Sequence, residues 1–258
     1  MAKQRLDILV YESGLAPSRE MARRYILAGE VRVDGQIADK PGMQVDANAG
    51  LEVAAAAPFV SRGGEKLVHA MRQFKIEVSG KICADVGAST GGFTDCLLQN
   101  GAGKVYAIDV GYGQLAVKLR DDARVVVMER TNARYLESLP EAIELITVDA
   151  SFISLRVLLP VIKNWLISGG QVVALIKPQF EAGRAEATKG GGVIKDSKVH
   201  RQVLLEVLEA AQEQGFAVLG LERSPLTGPK GNVEFLAWLA LGEIDSAADL
   251  ESLVDGAM

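Results

Sequence analysis

The chain has 258 residues, 48% of them hydrophobic and 24% charged, which fits one or two globular domains and excludes fibrous, mucin-like and disulfide-scaffold classes. Its formal charge of −5, from 28 basic and 33 acidic residues, excludes bulk attraction to phosphate, so a nucleic-acid partner has to be met by a local basic face. Cys83, Cys96, His69 and His200 are the only cysteines and histidines; they are too few and too far apart for a zinc site, so no metal is expected and the thiols read as buried small hydrophobes of a reduced chain.

The first residues, MAKQRLDILVYESG, place acids inside a short apolar stretch and lack a leader-like run. No apolar stretch reaches the ~20 residues needed to span a bilayer, so a cytoplasmic protein without membrane contact is expected. Leu6, Leu9 and Val10 stand at helical spacing before a pause at Ser13, Gly14 and Pro17. A second helix is predicted from Ser18, a good N-cap, through Ala22 and Ile26 to Gly29. Val31 to Val33 alternate into an Asp34-Gly35 turn and residues 51–53 alternate again, which predicts a small sheet after an αα-hairpin. Arg19 and Arg23 share a helix face with Arg24 beside it, a stripe that could follow a phosphate backbone. From charge alone, a solvated helix face is the simpler reading.

The AAAAP stretch at residues 54–58 reads as a hinge. The predicted division is a first domain over residues 1–58, a linker over 59–65, a larger domain over 66–245 and a tail over 246–258. Short, β-branched, nearly unbroken apolar runs at 82–86, 105–108, 125–128, 145–148 and 172–176 predict parallel strands covered on both faces, a doubly wound α/β fold. A helix at 199–211 and strands at 216–221 and 233–241 complete the pattern.

The first of these strands runs into Asp85-Val86-Gly87-Ala88-Ser89-Thr90-Gly91-Gly92-Phe93, and small residues at a strand-to-helix turn suit a nucleotide-like ligand. Ser89 breaks the G-x-G-x-x-G dinucleotide fingerprint, while the Asp85 carboxylate beside the loop suits a ligand with a cationic amino group. Asp109 ends the next strand, where an acid can accept hydrogen bonds from both ribose hydroxyls of a nucleoside. This pairing resembles the S-adenosylmethionine loop of the Rossmann-like class I methyltransferases. The resemblance implies cofactor contacts at Asp85, Gly87, Ser89, Gly91, Gly92, Phe93, Asp109 and Asp149, with Asn132 beside the adenine.

Four polar residues interrupt apolar runs or follow a glycine turn: Lys66 in VSRGGEKL, Asp149 in VDASFISL, Lys177 in LIKPQFEAG and Glu234 in GPKGNVEF. Taken as residue types, they read equally as a catalytic Lys-Asp-Lys-Glu set or as ordinary strand-end salt bridges. Together with DVGASTGGFTD, these motifs resemble the TlyA family of ribosomal RNA 2′-O-methyltransferases, relatives of the FtsJ-type enzymes, over nearly the whole chain. The resemblance implies S-adenosylmethionine-dependent methylation of a ribose 2′-hydroxyl in ribosomal RNA or ribosomal subunits, with Lys66, Asp149, Lys177 and Glu234 catalytic. It also implies an N-terminal RNA-binding domain of the ribosomal protein S-four type, its signature running from Arg5-Leu6-Asp7 through Ser18-Arg19 to Ala22. Lys3, Arg5, Arg19, Arg23 and Arg24 then become the expected RNA contacts. The chain departs from some members at Ala57-Pro58-Phe59-Val60, where they carry Arg and Trp before the Val.

Lys177 is the expected proton acceptor. Burial and the like charge of Lys66 favour its acting as a base, whereas Asp149 favours a charged group that orients the hydroxyl, and the sequence leaves both open. The glycine- and lysine-rich segment 181–196 is expected as a mobile lid. A base methyltransferase on this fold would carry Asn/Asp-Pro-Pro-aromatic after the fourth strand, or a cysteine nucleophile near a strand end; the sequence has neither. Retention of all four polar residues argues against a non-catalytic RNA-binding module, and the lack of a long basic amphipathic stretch argues against direct haemolysis.

Overall fold

The computed structural model describes residues 3–27, 29–53, 58–183, 191–228, 230–242 and 249–258. Residues 54–57 of the expected hinge and 184–190 of the expected lid lie outside the described residues. The chain divides into two compact units, Met1–Pro58 and Phe59–Met258.

In the first unit β1 (Lys3–Arg5) leads directly into α1 (Leu6–Glu12), and α2 (Arg19–Leu27) follows after a turn. Ser18 Oγ accepts the Met21 N–H at 3.2 Å and caps α2. A three-stranded sheet orders β3 (Gln36–Ile37), β2 (Val31–Val33) and β5 (Leu51–Val53), while β1 pairs antiparallel with β4 (Gln44–Asp46). Asp34 and Gly35, at φ 51° and 80°, supply the two left-handed positions of the tight turn between β2 and β3. Leu6, Leu9, Val10, Ala22, Ile26, Val31 and Val45 form the core. The β1–β4 pair has no counterpart in the sequence reading because Lys3–Arg5 is polar throughout and carries no apolar alternation.

The second unit begins with α3 (Gly63–Phe74), then alternates β6 (Ile82–Val86), α4 (Gly92–Gln99), β7 (Lys104–Ile108), α5 (Val117–Arg120), β8 (Val125–Met128), β9 (Ile143–Val148), α6 (Leu155–Ile162), β10 (Leu166–Ile176) and α7 (Pro178–Glu181). It closes with α8 (Ser197–Glu213), β11 (Phe216–Arg223), β12 (Phe235–Leu241) and α9 (Leu250–Ala257). Seven strands form one sheet in the order β11-β12-β10-β9-β6-β7-β8. All pairings from β10 to β8 are parallel, whereas β12 runs antiparallel to both β10 and β11.

Alternate residues of the central strands feed two cores. Cys83, Leu145, Val173 and Leu175 pack against α3, α4 and α5, and Ala84, Ile146, Val172 and Ala174 pack against α6, α8 and α9. This covers both faces of the sheet and explains why the strands read as unbroken apolar runs. Cys83 and Cys96 are free thiols within the first of these cores, and burial pushes each up to about 12.

Two expectations about boundaries are corrected. Residues 59–65 belong to the second unit: Phe59 is buried, and a Cβ on Gly64 would lie 2.2 Å from the Phe59 ring, so only glycine lets the ring close over the start of α3. The tail expected over 246–258 contains α9, whose Val254 is fully buried in the core beside α8 and β11. No helix of the described residues is long and apolar enough to cross a membrane.

Candidate active site

The chain leaves β6 toward β7 on one side and returns from β8 to β9 on the other, so the loops after β6 and β9 diverge and leave a crevice beyond the strand ends. Gly87 opens the first loop at φ 84°, and a Cβ there would lie 2.6 Å from the Asp149 carbonyl oxygen. Only glycine permits that backbone-to-backbone approach. Asp109, after β7, holds the loop from the opposite side: its Oδ2 accepts the Ser89 N–H at 2.8 Å and its Oδ1 the Gly111 N–H at 2.6 Å. Asn132 Oδ1 accepts the Arg134 N–H at 3.0 Å and so fixes the turn after β8.

Two adjoining cavities share Gly87, Ser89 and Asp149. One, about 320 Å³, is walled by Ile108, Asp109, Asn132, Ala150, Phe152 and Leu158, so carboxylate and amide groups face a largely apolar slot. The other, about 230 Å³, is the more polar of the two and is walled by Ser61, Arg62, Lys66, Thr90, Phe93 and Thr227. Gly92 also lines the polar cavity.

Asp85 and Gly91, expected to touch a ligand, line neither cavity. The Asp85 side chain points under the loop: Oδ2 accepts the Thr94 N–H at 2.9 Å and the Thr94 hydroxyl at 2.7 Å, and Oδ1 accepts the Thr147 hydroxyl at 3.0 Å. Asp85 shares its face of β6 with Cys83, the face that packs on α4, so it binds the first turn of α4. Burial pushes its carboxyl up to about 6, against the pull of these hydrogen bonds. Gly91 precedes α4 at φ 96°, where a Cβ would strike Leu119 at 2.2 Å.

The four charged residues form two pairs. Lys66 Nζ lies 2.6 Å from Glu234 Oε2, and Lys177 Nζ lies 2.5 Å from Asp149 Oδ1 and donates to Ser151 Oγ at 3.1 Å. Asp149, Lys177 and Lys66 sit after β9, after β10 and in the first turn of α3. Glu234 immediately precedes β12, and because β12 runs antiparallel its beginning lies at the same rim as the ends of the parallel strands. Lys66 and Asp149 border the same polar cavity, so each pair reaches it through one member. Each charge is neutralised by its partner, the condition under which buried ions persist. Ser151 and Phe152 carried no site role in the sequence reading. Phe152 is 89% exposed at φ 63° and packs on Phe180 with ring centroids 4.9 Å apart. A bulky residue at positive φ is invisible to any motif, since only the backbone angle gives it away.

In the first unit the expected cationic stripe is only partly free. Asp7 is fully buried in α1; its Oδ1 accepts from Arg5 Nε and its Oδ2 from Arg19 Nε, both at 3.0 Å. Burial alone would raise the Asp7 carboxyl, but the two guanidinium groups hold it below the usual carboxylate range. Arg5 and Arg19 therefore also serve the fold, a role the sequence reading did not give them. Arg24 pairs with Glu20 one turn away at 3.1 Å. Lys3 and Arg23 are exposed.

Residues 59–241 match the FtsJ-like methyltransferase family, and residues 4–51 match the S4 domain. The chain belongs to the FtsJ-like methyltransferase family. This methyltransferase is 50% identical to YqxC of Bacillus subtilis over 92% of its own length and 85% of the relative's. It is 45% identical to the 16S/23S rRNA (cytidine-2′-O)-methyltransferase TlyA of Mycobacterium tuberculosis over 98% and 95%. Among solved structures, a chain from Streptococcus thermophilus named as a hemolysin is 44% identical, with TM-score 0.74 over 100% of this methyltransferase and 96% of that chain. The expectations of a doubly wound methyltransferase fold and of membership beside the TlyA proteins are borne out.

Proposed function

We propose that this protein transfers a methyl group from S-adenosylmethionine to a ribose 2′-hydroxyl of ribosomal RNA in the cytoplasm, with RNA docked by the N-terminal unit. The observation that carries this reading is the convergence of the Lys66–Glu234 and Lys177–Asp149 pairs on one cavity that adjoins the Gly87 loop. The identity to TlyA, named for cytidine-2′-O methylation of 16S and 23S rRNA, supports the substrate class.

The residues present fit the cofactor. Asp109 and Asn132 suit a nucleoside in the apolar cavity, the polar cavity suits a zwitterionic chain, and the glycine at 87 leaves the junction open. Bound there, S-adenosylmethionine supplies an electrophilic methyl group. Lys177, held by Asp149 and Ser151, yields one proton to the Asp149 carboxylate, accepts the 2′-hydroxyl proton in its place and, again an ammonium, stabilises the charge that develops on the oxygen. Lys66, fixed by Glu234, lines the same cavity and adds a second cationic donor. Positioning, more than strong acid or base chemistry, supplies the acceleration. The exposed ring of Phe152 offers a stacking face for an unpaired base at the rim.

The test is methyl transfer to ribosomal subunits with labelled cofactor, followed by mapping of 2′-O-methyl positions. Lys177→Ala is expected to lower turnover by at least about a hundredfold while S-adenosylhomocysteine affinity stays within about twofold. Full turnover in that variant would remove Lys177 from the mechanism.

A further inference from the structure

The loops that leave β9 and β10 are laced together in step. Asp149 and Ser151 both meet Lys177, at 2.5 and 3.1 Å; Phe152 packs on Phe180; and Glu181 accepts the Ser154 hydroxyl at 2.5 Å and the Leu155 N–H at 2.7 Å. Backbone pairing of β9 with β10 ends at Val148 and Ala174. Beyond that point the side chains alone prolong the parallel register.

Glu181 is the last and most heavily engaged rung. Its carboxylate is buried, Arg156 Nε stands 3.8 Å from Oε2, and Arg156 Nη2 donates to the Glu181 carbonyl at 2.9 Å. Between the two ends of this ladder Phe152 holds φ 63°, a backbone conformation an aromatic residue adopts only when its surroundings enforce it. The turn is therefore clamped at one end by Lys177 and at the other by Glu181. Releasing either end frees the residues between them to relax.

We propose that Glu181 is a positioning residue: by fixing Ser154 and Leu155 it holds the far end of the Asp149 loop, so that Asp149 and Ser151 meet Lys177 at the cavity wall. The inference rests on the roles assigned above to Asp149 and Lys177. A plain helix cap would affect stability and leave turnover per folded molecule unchanged.

Glu181→Ala, Glu181→Gln and Ser154→Ala in the full chain separate the two. In Glu181→Ala, kcat is expected to fall at least about tenfold, the scale of a sub-ångström misplacement of a reacting group, with S-adenosylhomocysteine affinity within about twofold of wild type. Hydrogen exchange is expected to accelerate at the amides of residues 150–156 and stay unchanged in the Gly87 loop. Glu181→Gln keeps an acceptor for the Leu155 N–H and should recover most of the rate, while Ser154→Ala loses one rung and should lower kcat about twofold to fivefold. Should Glu181→Ala fail to fold, Ser154→Ala and Glu181→Gln decide. Wild-type kcat in a folded Glu181→Ala or in Ser154→Ala, or a matching loss of cofactor affinity, would overturn the proposal. A wild-type protein that transfers no methyl group refutes the functional assignment instead, and the exchange measurement still reports on the clamp.

Discussion

At Asp85 the one-dimensional pattern and the three-dimensional role part company. The D-x-G spacing leads to a loop that lines both cavities, but strand alternation sends this carboxylate to the α4 side of the sheet, where Thr94 and Thr147 surround it. Its carboxyl is pushed up to about 6 by burial, above the ordinary value near 4. The folded chain then binds the proton more tightly than the unfolded one, so this residue's contribution to stability is full below about pH 4 and is lost as pH rises through about 6. Asp85→Asn can keep the Thr94 bonds with its amide oxygen and donate to Thr147, whose hydroxyl also reaches the Ala84 carbonyl at 3.5 Å. Between pH 4 and 7 the variant should gain on wild type by up to roughly 3 kcal/mol, read from urea midpoints measured across that range. A constant difference would show that Asp85 titrates normally.

At the scale of elements, the strands were legible because buried parallel strands need continuous apolar runs, and the Gly87 loop was legible because only small residues fit it. The direction of β12 was not, since an apolar run has no sign; yet that direction delivers Glu234 to the rim. The basic stripe of α2 was legible as a pattern, but the buried Asp7 beneath it was not, because burial of an acid depends on contacts twelve residues apart in sequence. The consequence is a division of labour within one helix. Arg23→Ala should weaken RNA binding with a shallower salt dependence and an unchanged melting temperature. Arg19→Ala should lower the melting temperature of the N-terminal unit by roughly 5 °C, and that deficit should shrink in acid, as pH falls through the lowered value of Asp7 and the protonated carboxyl no longer needs its partner. If both variants lose only RNA affinity, the structural role of Arg19 is wrong.

For the whole molecule, both cavities lie within Phe59–Met258. A chain lacking residues 1–57 should bind S-adenosylhomocysteine within about twofold of the full protein while losing at least about tenfold in RNA affinity. One lacking residues 1–62 also removes Phe59 from the core, the Val60 N–H that donates to Asp95 Oδ2 at 2.8 Å, and the Ser61 and Arg62 wall of the polar cavity, so it should melt earlier and bind the ligand poorly. Calorimetry on the two truncations checks both statements. The two sealed thiols then provide a built-in clock. Cys83 lies in β6 and Cys96 inside α4, the helix that follows the glycine turn, and neither can be alkylated until that layer breathes. The pace of iodoacetamide labelling therefore counts excursions of this half of the molecule toward an unlatched form, and a tenant in the neighbouring crevice should slow the count without touching either sulfur.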